Sequence, residues 1–162
     1  MKKLLAFVAL LLATLNIVPA FAQLEATPVT AWQWNKPGDL LGWEPVSFVN
    51  TKVADGALQG LTSDFPRLNS PALKIDASQW IDLEFRIKST IGGPGLILFS
   101  REGEKRSDAR SVGLTIVGDN QFHTYRVNLS SHPLWKGTIA QIIFYPLFKA
   151  GAQIELQSIR FL

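Results

Sequence analysis

The sequence predicts an all-β fold, an antiparallel β-sandwich of jelly-roll topology, and three observations carry that expectation. From Ala31 onward, strand-like runs alternate with turn signals at intervals of ~8–15 residues. No apolar pattern of helical period extends beyond about two turns. The segment 81–88 alternates strictly: Ile81, Leu83, Phe85 and Ile87 share one face, and Asp82, Glu84, Arg86 and Lys88 the other.

The N-terminus precedes the first strand signal. Lys2 and Lys3 lead into an apolar stretch from Leu4 to Val18, interrupted by Thr14 and Asn16, and Ala20-Phe21-Ala22 supplies a small-x-small end. This pattern predicts a signal peptide over residues 1–22, since a spanning helix needs ~20 apolar residues. Export to the periplasm or the cell exterior follows, without stable membrane insertion once the signal is cut. No cysteine follows the cleavage point to carry a lipid anchor. Cleavage would take the charge balance from 16 basic against 13 acidic residues to 14 against 13. A nearly neutral domain with no Lys/Arg stripe excludes nucleic acid as a partner. The remaining 140 residues suit one domain, and a chain of that size buries roughly 68% of its unfolded surface. With no cysteine, the fold relies on packing, and thiolate metal sites and cysteine nucleophiles are excluded.

Residues 23–31 read as a flexible leader and 32–162 as the domain. Trp32 and Trp34 share a face of the first strand. Asp55-Gly56 marks a hairpin, and Gly92-Gly93-Pro94-Gly95 and Gly118-Asp119-Asn120 are further turn signals able to supply positive φ. By parity Trp80 falls on the charged face of the strand at 81–88, unless that strand starts later. The runs 95–100 and 139–145 are more continuously apolar, as expected of strands covered on both faces or set mid-sheet. Between them, 101–108 is a mixed-charge loop or hairpin tip. Val112, Leu114 and Ile116 alternate with Ser111, Gly113 and Thr115. In Phe122 to Leu129, parity turns His123, Tyr125, Val127 and Leu129 inward and Thr124, Arg126 and Asn128 outward. A Pro133-Leu134-Trp135-Lys136-Gly137 corner and a closing strand through Ile154 and Ile159 complete the chain.

Taken together, several stretches resemble the galactose-binding-domain-like jelly roll of many bacterial carbohydrate-binding modules. They are Trp32-Gln33-Trp34-Asn35, Gly38-Asp39-Leu40, Gly42-Trp43, Ala54 to Leu58, Asn69 to Ser78, the His123-Thr124-Tyr125 strand and the Pro-x-Trp-x-Gly corner. The resemblance covers about residues 32–162. It implies a non-catalytic ligand-binding module, with a glycan as partner; the alternative is an interaction or envelope-assembly module with an envelope protein as partner. It also implies corner packing for Trp43 and Trp135. Where relatives place acidic residues able to hold a structural calcium, this chain has Asn35 and Gln157, with Asp39 and Glu155 nearby. Neutral amides are poor substitutes for carboxylates, so no cofactor is expected. Where relatives carry Arg-x-Asp-Pro, this chain has Ile143-Phe144-Tyr145-Pro146.

The candidate ligand-binding residues are those expected on an exposed sheet face: Glu84, Arg86, Arg126, Gln141 and Tyr145. Arg and Glu exchange hydrogen bonds with sugar hydroxyls, and a Tyr ring stacks. The same face can equally be a solvated surface held by cross-strand ion pairs. No catalytic residue or metal ligand is expected. His123 and His132, the only histidines, lack neighbouring ligands at metal spacing. Asp82 and Glu84 share a face about 7 Å apart, but Arg86 and Lys88 beside them favour the ionised forms, whereas a general acid needs a raised pKa.

Overall fold

The structure, a computed structural model, describes residues 29–162. The expected signal peptide and most of the leader lie outside the described residues. Among the described residues there are ten strands and no helix: β1 (Ala31–Gln33), β2 (Glu44–Ala54), β3 (Ala57–Asn69), β4 (Ile75–Asp76), β5 (Asp82–Ser89), β6 (Gly93–Arg101), β7 (Ser111–Ile116), β8 (Phe122–Asn128), β9 (Thr138–Tyr145) and β10 (Gln153–Phe161). Every pairing is antiparallel. No helix among the described residues is long and apolar enough to cross a membrane.

Two layers follow from the pairing. In one, β8, β5 and β10 lie side by side, and the far edge of β10 is taken by β1 and the first half of β3. In the other, β7, β6 and β9 are neighbours, and the far edge of β9 is taken by β4 and the last residues of β3. Strand β3 therefore belongs to both layers, with β2 paired to both of its ends across two register shifts.

Alternation explains the core. Leu83, Phe85 and Ile87 of β5 are each no more than 1% exposed. Phe85 joins the layers, its ring 5.2 Å from Tyr125 in the same sheet and 4.6 Å from Phe144 of β9 in the opposite one. Ile81 departs from the expected pattern. It is 45% exposed, because β5 begins one residue later, at Asp82. The Ile81 carbonyl instead accepts from the amides of Leu129 and Ser130, which pins the corner after β8. Trp80 packs half-buried against the core instead of on the charged face.

The turn signals act in two different ways. At the β2–β3 hairpin, Asp55 and Gly56 take φ of 53° and 74°, the two-residue geometry that Asp-Gly favours. Gly92, Gly93, Gly95 and Gly118 do not adopt positive φ. Close approach demands glycine at Gly92, Gly95 and Gly118, though not at Gly93: a Cβ on Gly118 would sit 1.9 Å from the Gly92 nitrogen. Asn120 supplies the left-handed residue of that turn instead, at φ 61°.

Strand β10 contains a bulge. Leu156 pairs with Ile87 and Ser158 with Arg86, leaving Gln157 as the extra residue. Without it, Ile154, Leu156, Ile159 and Phe161 would alternate cleanly with Glu155, Ser158 and Arg160. With it, all four apolar side chains still reach the core, and Gln157 joins its neighbours on the outer face.

Candidate ligand-binding face

The register places the outward side chains of the β8–β5–β10–β1 layer in rows. One row runs Gln33, Ser158, Arg86, Thr124 across four strands, and the next runs Ala31, Arg160, Glu84, Arg126. Lys88 stands between Glu155 and Phe122 in a third. An open groove crosses the first two rows, lined by Gln33, Glu84, Arg86, Thr124, Ser158 and Arg160 among others.

Cross-strand bonds order this surface. Lys88 Nζ lies 2.6 Å from Glu155 Oε1, Arg126 Nη2 2.6 Å from Asp82 Oδ2, and Arg160 Nη2 2.7 Å from Glu84 Oε1. The last two pairs are layered. The Arg126 and Arg160 side chains are 58% and 55% exposed, while Asp82 and Glu84 beneath them are 7% and 22% exposed. The outermost charge is therefore cationic. Arg86 differs from its neighbours. Its Nε donates to the Gln157 Oε1 at 2.7 Å, and its guanidinium stands 5.3 Å from the centre of the half-buried Phe122 ring. No carboxylate among the described residues lies within ion-pair distance of it.

Three of the five expected residues, Glu84, Arg86 and Arg126, thus share one face. Gln141 and Tyr145 do not join them, and their placement corrects the expectation of a single exposed surface. Both sit on β9, in the other layer, where Gln141 pairs with Ser100 and Tyr145 with Leu96. Tyr145 is 6% exposed and clusters with Leu98 and Ile143 on the outer side of that sheet. Its hydroxyl accepts from Arg106 Nη2 at 2.7 Å, so the mixed-charge loop between β6 and β7 folds back over its ring. Phe148, 39% exposed, lies 5.7 Å from it.

Residues that sequence reasoning left out of the site are Gln33, Gln157, Ser158 and Arg160. The signal for the first is its parity opposite Trp32 and Trp34. For the others it is the three-residue step from Leu156 to Ile159, which announces a bulge. The tryptophans that invite a stacking platform are core residues: Trp32, Trp34, Trp43 and Trp135 are each no more than 6% exposed. Trp32 and Trp34 both pack edge-on against Trp43.

Three of the four positions named for calcium have other partners. Gln157 and Glu155 face Arg86 and Lys88, while Asp39 accepts from the Leu41 amide in its own turn. No group of three acidic or histidine side chains among the described residues is arranged to hold a metal. His132 accepts from the Leu134 amide through Nδ1. His123 Nε2 lies 3.0 Å from both Asp119 oxygens, and that hydrogen bond is the main reason the Asp119 carboxyl is held below its ordinary range. Glu104, held by Arg101, and Asp76, held by Ser78, are lowered in the same way. All three carboxyls lie outside the groove.

With layers, register and groove in place, the fold can be compared with solved structures. A family 29 carbohydrate-binding module superposes with a TM-score of 0.56 at 16% identity, covering 82% of this chain and 86% of that one. The fold is the jelly-roll β-sandwich of that module. The family 11 module from Clostridium thermocellum, solved with a β-1,3-1,4-mixed-linked tetrasaccharide, gives 0.53 at 16% identity over 85% and 97% of the two chains. A low-affinity xylan-binding module from Roseburia intestinalis gives 0.50 at 15% identity over 78% and 93%. At these identities the likeness establishes architecture. No protein-family model matches the sequence, and no curated protein matches it.

Proposed function

We propose that this protein is a non-catalytic carbohydrate-binding module that acts outside the cytoplasm and holds a polysaccharide across the outer face of β1, β10, β5 and β8. The observation that carries this reading is the open groove lined by Gln33, Glu84, Arg86, Thr124, Ser158 and Arg160, on a sandwich whose structural neighbours include modules that bind xylan and mixed-linked glucan. Four strands at ~4.8 Å spacing give a row of donors and acceptors about 14 Å long, suited to successive hydroxyls along a short stretch of glycan. The apolar segment behind Lys2 and Lys3 supports export. A protein-docking surface built on Ile143 and Tyr145 is disfavoured, since these residues are only 5% and 6% exposed.

The test is affinity electrophoresis of the wild type, Arg86→Ala and Tyr145→Ala through gels containing individual polysaccharides. At least one polysaccharide should retard the wild type and not Arg86→Ala. Folded Tyr145→Ala protein should remain retarded, because its side chain belongs to the other layer. Absence of retardation by every polysaccharide would refute the reading.

A further inference from the structure

Resting on the reading of this face as a glycan site, we propose that it selects an acidic polysaccharide, whose oxyanion (a uronate carboxylate or a sulfate ester) docks on the guanidinium of Arg86.

The argument begins with the charge census of the face. Four cations stand there, and three of them have a carboxylate partner: Lys88 with Glu155, Arg126 with Asp82, Arg160 with Glu84. Arg86 lies in the groove, is exposed and has only a neutral amide. Gln157 takes Nε and leaves the charge whole, while Nη1 and Nη2 have no hydrogen-bond partner among the described residues. A guanidinium presents these two nitrogens as a planar fork that matches the two oxygens of a carboxylate or sulfate.

The fork is also held in place. One side of the guanidinium faces the Phe122 ring, which Lys88 Nζ shares at 5.2 Å. The Nε bond fixes rotation about the remaining axis. That bond exists because of the bulge in β10, and the bulge is not needed for burial. The apolar residues on either side would alternate correctly without Gln157. An insertion that interrupts a ladder and delivers one amide to an arginine is a positioning device, and bulges recur beside binding sites for this purpose. Thr124, Ser158 and Gln33, in the same row as Arg86, would meet the hydroxyls of the sugar that carries the anion.

The full chain is tested against polygalacturonate and its methyl ester, and against dextran sulfate and dextran. Wild type should bind one charged polymer about tenfold more tightly than its neutral counterpart, as expected for a charge-assisted pair, and added salt should erase the difference. A uronate site prefers the first pair and a sulfate site the second. Arg86→Gln should abolish the preference. Deleting Gln157 should weaken it while the thermal unfolding transition is retained. Lys105→Gln, which removes an equal charge from the exposed β6–β7 loop of the other layer, should preserve it. Equal binding of charged and neutral polymers, or equal losses in Arg86→Gln and Lys105→Gln, would overturn the inference and leave the glycan reading intact. Binding to none of the four, nor to any neutral polysaccharide in the electrophoresis above, would overturn both.

Discussion

On the outer side of β8, β5 and β10, alternate positions carry Arg126, Glu84, Arg86, Lys88, Glu155 and Arg160. The corresponding positions of β6 and β9 carry Leu96, Leu98, Ile143 and Tyr145. Pairing arithmetic is the same in both layers, yet the first presents ionic partners to solvent and the second buries a small apolar cluster with Arg106 over its tyrosine. The difference separates two tasks. Buried apolar contacts contribute stability. Exposed ion pairs contribute little, because water competes for both members, and side chains held so lightly can exchange partners for a ligand.

The largest expected effect tests the apolar face. Ile143→Ala should cost about 2–5 kcal/mol in chemical denaturation, as for other buried large-to-small changes, whereas Thr124→Ala on the polar face should cost less than about 0.5 kcal/mol. A small loss at Ile143 would erase the contrast between the faces. Arg126→Ala comes next. It leaves the Asp82 carboxylate, 7% exposed, without its guanidinium, and should cost about 1–3 kcal/mol. The Lys88–Glu155 pair should be weaker still: a double-alanine cycle should give about 0.2–1 kcal/mol, shrinking as salt is added.

The smallest effect concerns the β6–β7 loop and acid. Hydrogen bonding from Arg101 holds the Glu104 carboxyl below its ordinary value of 4.5. A depressed folded pKa stabilises the loop above that value, and the contribution is lost as pH falls through the lowered one. Amide exchange at Glu102 and Arg110 should therefore be slower, relative to unstructured peptide, at about pH 6 than at about pH 3. Equal protection at both would show that the loop's order does not depend on this carboxylate.

Much of the fold was legible because alternation reports burial directly: Leu83, Phe85 and Ile87, and likewise Val127 and Leu129, lie where parity places them. The site was legible only in part, for a reason inherent in a sandwich. Period-2 patterning tells which side chains point away from the core, but a sandwich has two outer faces, and nothing local to β9 assigns Gln141 and Tyr145 to one or the other. That choice is made by strand order, a long-range property. Gln157 illustrates a different limit. The three-residue step between Leu156 and Ile159 is visible in the chain, but its meaning depends on which residue the bulge meets across the ladder. The glycine run at 92–95 misled through chemistry: glycine serves close backbone approach as well as unusual dihedrals, and sequence does not distinguish these uses.

Strand β3 crosses from one layer into the other while holding β2 at both of its ends. The sandwich is thus stitched, not merely stacked. Tension applied at one surface would pass into a strand shared with the opposite sheet, and the layers cannot peel apart as independent leaves. Such a sandwich should yield as a unit or not at all.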